Sequence, residues 1–128
     1  MTPVEEAKQR ALSEINIAAG TARQKHVTVI YGQDQVYLEK ASQAVDYVAG
    51  NFSEDLQKYP FIKAEAEALN KSPREVAEHI LKAKSMWIGY MAVIEKERLQ
   101  GKKMIQDSID ISTITKILHN TIETLKQL

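Results

Sequence analysis

The most regular pattern in this chain is a row of apolar residues at intervals of three and four between residues 72 and 109. Such spacing keeps one face of an α-helix apolar, so it predicts a long amphipathic helix. Ser72, followed by Pro73 and Glu75, marks its start, because Ser72 and Glu75 can cap each other's backbone amides. The same row predicts the core of the helix: Ile80, Trp87, Tyr90, Met91 and Ile94.

Three shorter helices are predicted before the long one. Thr2 can cap the first of them, and the alanine-rich stripe that follows indicates close packing against a neighbour. A second helix from about residue 34 places Tyr37 in the core, and a third covers about 61–69. The β-branched run 27–31 has no second strand to pair with, which predicts an extended connector or a frayed helix end.

Two regions are candidates for binding. The tail, residues 111–128, carries apolar residues at heptad spacing over two and a half heptads, fewer than a coiled coil usually needs. It either mediates self-association or docking on a partner helix, or folds back onto its own bundle; its interface residues are Ile111, Ile114, Leu118, Leu125 and Leu128. The loop 51–60 is either exposed and adhesive or, as we expect, anchored in the core by Phe52, Leu56 and Tyr59.

These elements together predict an all-α fold in a single domain of residues 1–128. We expect a bundle of four or five helices with the long helix at its centre, because its apolar face is wide enough to contact several neighbours. The core of the bundle covers about 1–110. The tail is then an amphipathic helix able to project, with a helix break around Asp110, where serine and threonine permit a cap.

Charge and cysteine content exclude several classes of function. Lysine plus arginine and aspartate plus glutamate number 17 each, which gives a formal net charge of zero. No basic cluster is free of interleaved acids, and this disfavours nucleic-acid binding. The chain has no cysteine, which excludes disulfides, thiolate nucleophiles and cysteine-based metal sites. It lacks the apolar region of a signal peptide and any run of about 20 apolar residues, so we expect no membrane contact.

No catalytic, cofactor or metal motif is present in the sequence. His79 follows Glu75 by four residues on the long helix, but a solvated helix face explains this pair better than a metal site. The glycines lack phosphate-loop spacing, and no serine has a nucleophile-elbow setting. Trp87 with Tyr90 and Met91 permits a small-molecule pocket, although such clusters are more often core. We therefore predict that the chain is not an enzyme and holds no cofactor or metal.

Four stretches of sequence follow one another in a distinctive order. They are Tyr37-Leu38-Glu39-Lys40-Ala41; Tyr59-Pro60 with Ala64-Glu65-Ala66; Ser72-Pro73-Arg74-Glu75-Val76-Ala77-Glu78-His79-Ile80; and Trp87 with Ile94-Glu95, Arg98-Leu99 and Gly101-Lys102. In this order the segment 35–105, just over half of the chain, resembles a helical domain of tail-fibre and other tail-associated proteins of tailed bacteriophages. That family has no catalytic residues to carry over.

The resemblance implies a non-enzymatic structural or adaptor protein of the phage tail, which acts through contacts with other tail or fibre proteins or with itself as a homo-oligomer. One alternative is a tail-fibre assembly chaperone that leaves before the virion matures. Another is a small regulatory or host-takeover protein. The expected location is the tail of the virion, or the host cytoplasm during assembly.

Overall fold

The computed structural model describes residues 1–27 and 33–128. Within these residues the fold is all-α, as predicted, and contains five helices and no strand. The helices are α1 (Pro3–Gln24), α2 (Gln33–Ala49), α3 (Pro60–Leu69), α4 (Pro73–Gln106) and α5 (Ile111–Lys126). The prediction of one long helix is confirmed by α4. The connector predicted at 27–31 lies, apart from Val27, outside the described residues.

The helices divide into two compact units. The terminal unit comprises Met1–Val27 and Gly89–Leu128, and so contains α1, the C-terminal part of α4 and α5. The central unit comprises Thr28–Ile88, of which residues 33–88 are described, with α2, α3 and the N-terminal part of α4. The single domain expected from the sequence stays a prediction, which unfolding measurements can test.

The terminal unit opens with a reciprocal helix cap. The Glu5 amide donates to Thr2 Oγ1 over 3.1 Å, and the Thr2 amide donates to the Glu5 carboxylate over 2.9 Å. Two backbone donors at the start of α1 are thereby satisfied, which confirms the predicted cap. The alanine-rich stripe of α1 packs into a core shared with α4 and α5, whose buried residues are Ala11, Ile15, Ala19, Ala22, Ile94, Ile105, Ile114 and Leu125.

Helix α5 belongs to this core. A break around Asp110 is confirmed, because the Asp110 carboxylate accepts a hydrogen bond from the Thr113 amide and caps α5. Of the five predicted interface residues, Ile114 and Leu125 are buried, Leu118 and Leu128 pack partly buried against the core, and Ile111 is half exposed. Four of these five positions thus pack against the core of their own unit, as in the alternative that the tail folds back, and self-association through them stays a prediction.

The central unit closes around aromatic side chains as well as aliphatic ones. Its buried residues are Ala41, Ala44, Tyr47, Tyr59, Ile62, Ala66, Val76, Ala77 and Ile80. Phe52 and Leu56 of the loop pack against this cluster, so the prediction that the loop is anchored is confirmed. Ser72 Oγ accepts from the Glu75 amide over 3.1 Å, which confirms the Ser72 cap of α4. The reverse bond from Ser72 to Glu75 is not made among the described side chains.

The predicted core of α4 is correct at its two ends and wrong in the middle. Ile80 is buried in the central unit and Ile94 in the terminal unit, as expected. Trp87 and Met91, with Tyr37 of α2, are only half-buried, and Tyr90 is 46% exposed. Each unit packs against its own end of α4, so no residue from 81 to 93 is buried although the apolar pattern is continuous.

Candidate interaction surfaces

Among the described residues, the candidate binding surfaces consist of exposed apolar side chains rather than of clusters of polar groups. Across residues 1–27 and 33–128, histidine, aspartate and glutamate form no group of three or more able to hold a metal ion. None of the helices described combines the length and the apolar character needed to cross a membrane. His79 and His119 are exposed on helix surfaces. Among the grooves between the described helices, two have linings that are mainly apolar.

The first groove lies between α2 and α4 in the central unit. This open groove has a volume of about 310 Å³, and its lining is mostly apolar: Tyr37, Leu38, Ala41, Ser42, Val45, Asp46, Lys84, Trp87 and Ile88. Helix α2 buries Ala41, Ala44 and Tyr47, so Leu38 and Val45 fall on a neighbouring face and stay exposed. Leu38 is 64% exposed. We call this surface the α2–α4 groove.

Tyr37 and Trp87 form one end of the α2–α4 groove. Their ring centroids are 6.1 Å apart at an interplanar angle of 50°, an ordinary tilted aromatic contact. The Tyr37 hydroxyl is buried and has no hydrogen-bond partner among the described residues. Burial also raises the pKa of this phenol above its usual value, because it disfavours the charged form. A half-buried tryptophan at the end of an apolar groove is a surface on which a partner can gain apolar contact area.

The second groove lies between α1 and α5 in the terminal unit and also has a volume of about 310 Å³. Its floor is formed by small and aliphatic residues, among them Ala18, Ala22 and Leu125. Ile17 stands at its edge with 67% of its surface exposed. Charged residues mark the two ends, with Glu14 towards one and Lys25 and Lys126 towards the other. We call this surface the α1–α5 groove.

The residues that carry the phage-tail resemblance are used in packing within each unit. Tyr37 contacts Trp87, and Lys40 forms a salt bridge with Glu65 that links α2 to α3. In the terminal unit, Glu95 accepts hydrogen bonds from Arg98 on its own helix and from Arg23 of α1. These residues contribute to packing, whereas Leu38, which belongs to the same stretch as Tyr37 and Lys40, is exposed.

Glu95 has the most developed polar network of the terminal unit. The hydrogen bond from Arg98 lowers the pKa of the Glu95 carboxyl below its ordinary value of 4.5, and the positive charges of Arg98, Arg23 and Lys102 act in the same direction. Arg98 also donates to the Asn16 side chain over 3.0 Å. This network joins α4 to α1 and holds the carboxylate in its charged form.

Several contacts of the terminal unit give no signal in the sequence. The His26 ring stacks on Tyr90 with centroids 4.2 Å apart, and its Nε2 lies 2.8 Å from the Leu128 carbonyl oxygen. Lys25 Nζ donates to the Lys126 carbonyl over 2.7 Å. Both bonds satisfy carbonyl groups at the end of α5, where a helix lacks internal donors. The two hydrogen bonds join residues about a hundred positions apart, and the stacked rings also belong to residues distant in the sequence, so no local pattern indicates these contacts.

Comparison with protein-family models, with curated proteins and with solved structures gives no match to this chain. The function is therefore inferred from the surfaces above together with the resemblance in the sequence.

Proposed function

We propose that this chain is a non-enzymatic protein of a bacteriophage tail, a structural or adaptor subunit that acts through protein–protein contacts. One observation carries the proposal: several residues of the resemblance make packing contacts in the central unit. Tyr37, Lys40, Tyr59 and Trp87 all make contacts that hold this unit together. A likeness in fold-determining residues supports a shared scaffold, and the family scaffold serves in the tail.

The α2–α4 groove is the surface through which the central unit acts as an adaptor. Leu38, Val45 and Ile88 are exposed apolar side chains that a segment of a neighbouring tail or fibre protein covers. Lys84 and Asp46 at the rim fix the orientation of the segment.

Mass spectrometry of purified particles tests the tail assignment. Virions are prepared from cells in which the gene stands in its native genomic setting, and the copy number of this chain is measured against a tail protein. We expect a constant number of copies per particle. A chain that binds the fibre protein in lysates but is missing from particles acts instead as an assembly chaperone. A chain found with neither is a regulatory protein.

Variants of the groove test how the chain is incorporated. Leu38→Asp and Ile88→Asp place a charge in the α2–α4 groove, and both positions are exposed enough to leave the fold intact. Leu69→Asp is the matched control, because Leu69 is 55% exposed in the same unit but does not line the groove. We expect fewer copies per particle for the two groove variants and wild-type numbers for the control. Equal incorporation of all three excludes this groove as the docking surface.

A further inference from the structure

Four residues of α1 and its C-cap form a straight stripe along the side of the helix that borders the α1–α5 groove. Glu14, Ala18, Thr21 and Lys25 follow one another at intervals of four, three and four residues, which keeps them on one helix face. All four line the α1–α5 groove. Glu14, Thr21 and Lys25 are exposed, and Ala18 is half-buried.

Helix α4 contacts a different side of α1. Arg23 binds Glu95 and Asn16 binds Arg98, and both of these α1 residues lie on faces turned away from the stripe. The stripe and the groove beside it are therefore not used by the third helix of the terminal unit.

The charges of this stripe are complementary to those of an identical stripe that runs in the opposite direction. In an antiparallel pair of α1 helices whose two-fold axis passes between residues 19 and 20, Glu14 faces Lys25 and Ala18 faces Thr21. Because the relation is symmetric, Lys25 faces Glu14 at the other end. Eleven residues separate the two charges, about 16 Å along a helix at 1.5 Å per residue, so both ion pairs form in one register. A parallel pair instead places like charges together.

We propose that the α1–α5 groove is occupied by a second copy of this chain, docked antiparallel through α1. The small side chains of Ala18 and Thr21 at the axis allow the helices to approach to the short interaxial distances of about 8 Å. Ile17 on one side and Ile122 of α5 on the other are covered in the complex. The same patch of both copies is used, so the assembly closes as a dimer and does not extend into a filament.

The charges favour a second copy over an unrelated partner. Among the described residues Glu14 takes part in no salt bridge, and Lys25 donates only to the Lys126 carbonyl oxygen. Because an ammonium group carries three N–H donors, Lys25 can keep this bond and still pair with Glu14 across the two-fold axis. The dimer uses residues of the terminal unit alone, so it stands or falls independently of the phage-tail proposal and of the α2–α4 groove.

Charge exchange at Glu14 and Lys25 tests the dimer on the full chain. Light scattering over a range of concentrations should give wild type a mass twice the 14.4 kDa of one chain. Glu14→Lys and Lys25→Glu each place like charges together at both ends of the stripe, which weakens the dimer by at least about tenfold in its dissociation constant. The double variant Glu14→Lys with Lys25→Glu restores opposite charges and recovers the dimer.

Control variants separate this effect from misfolding and from general charge. Glu67→Lys makes the same charge change on an exposed position of α3 and should leave the mass unchanged. Circular dichroism checks that each variant keeps its helix content, which matters most for Lys25→Glu because it removes a bond to α5. A wild-type chain that stays monomeric at all concentrations overturns the proposal. So does a dimer that Glu14→Lys leaves intact, or a double variant that remains monomeric.

Discussion

The two units of this molecule are built from similar amphipathic helices but reach a closed core in different ways. In the terminal unit every buried apolar residue is alanine, isoleucine or leucine, and helices from the two ends of the sequence pack directly together. In the central unit Tyr47 lies at the centre of an aromatic cluster, with Tyr59 at 5.3 Å and Phe52 at 5.6 Å, both edge-on. In this unit, side chains of the loop after α2 cover the part of the core that the helices leave open.

This difference shows that the apolar pattern of the helices does not determine which other segments of the chain contribute to the core. The central unit gathers residues that lie close together in the sequence, so its loop is held by neighbours along the chain. The terminal unit depends on α1 and α5, whose contacts span about a hundred positions and include Lys25 to Lys126. Two of the three predictions below compare the two units, and the one at Gly101 compares two positions within the terminal unit.

The largest effect is expected from truncating a fully buried isoleucine in each unit. Ile94→Ala in the terminal unit and Ile62→Ala in the central unit should each lower the free energy of unfolding by about 2–5 kcal/mol, through lost burial and the cavity left behind. Trp87, the only tryptophan, lies in the central unit, so its fluorescence follows that unit while circular dichroism follows all helices. Urea unfolding is recorded with both probes.

The two buried cores share no residue, and we therefore expect the probes to separate. Ile94→Ala should shift the circular dichroism transition and leave the fluorescence midpoint in place, whereas Ile62→Ala should shift the fluorescence midpoint. Coincident transitions in both variants contradict independent units and support the single domain that the sequence predicts.

A smaller effect is expected at Gly101 of α4. A Cβ atom at this position lies 2.6 Å from Thr121 Cγ2 and 2.8 Å from its Oγ1, so Gly101→Ala forces α4 and α5 apart and costs about 1–3 kcal/mol. Gly89→Ala on the same helix meets no atom within 4 Å and should stabilise by about 0.5–1 kcal/mol. Thermal unfolding measures both. Combining Thr121→Ala with Gly101→Ala should recover part of the lost stability. If it does not, the destabilisation comes from a contact other than the one with Thr121.

The smallest effect is expected in the dependence of stability on pH. Both described carboxyls with a lowered pKa, Glu95 and Asp110, belong to the terminal unit. Since the folded pKa of Glu95 lies below its ordinary 4.5, the unfolded chain binds more protons near that pH, and the stabilisation is present above 4.5 and lost as pH falls through the folded pKa. Glu95→Gln should flatten the fall of stability between neutral and acidic pH. Glu54→Gln in the central unit should follow wild type.

The helices themselves were predictable from local chemistry. The Thr2 cap, the break at Asp110 and the end of α3 at Asn70, which adopts a left-handed φ of 54°, all follow from residues within one turn of the boundary. Local preferences decide where a helix starts and stops, because the unpaired backbone groups there depend on nearby side chains.

Which face of each helix is buried was predicted less well. Tyr37, expected in the core of α2, is only half-buried, whereas Ala41 and Ala44 of the same helix are buried. The pattern of α4 gave no sign that its middle stays partly solvated. Neither groove could be predicted, since each is made by two helices whose pairing is set by tertiary packing. The stripe on α1 can be recognised in the sequence only after the structure shows which side of the helix is not packed against α4.

The anchored loop after α2 has a practical consequence for engineering. Asn51 and Phe52 both adopt left-handed φ values, 58° and 57°, and the Phe52 ring is held between Tyr47 and the Arg74 guanidinium, 4.3 Å from its centroid. A loop fixed in this way is a poor place for an inserted epitope or a fluorescent label, despite being a non-helical connection. Ile109, 87% exposed in the turn before α5, is better suited. In a chain without cysteine, Ile109→Cys offers a single attachment point.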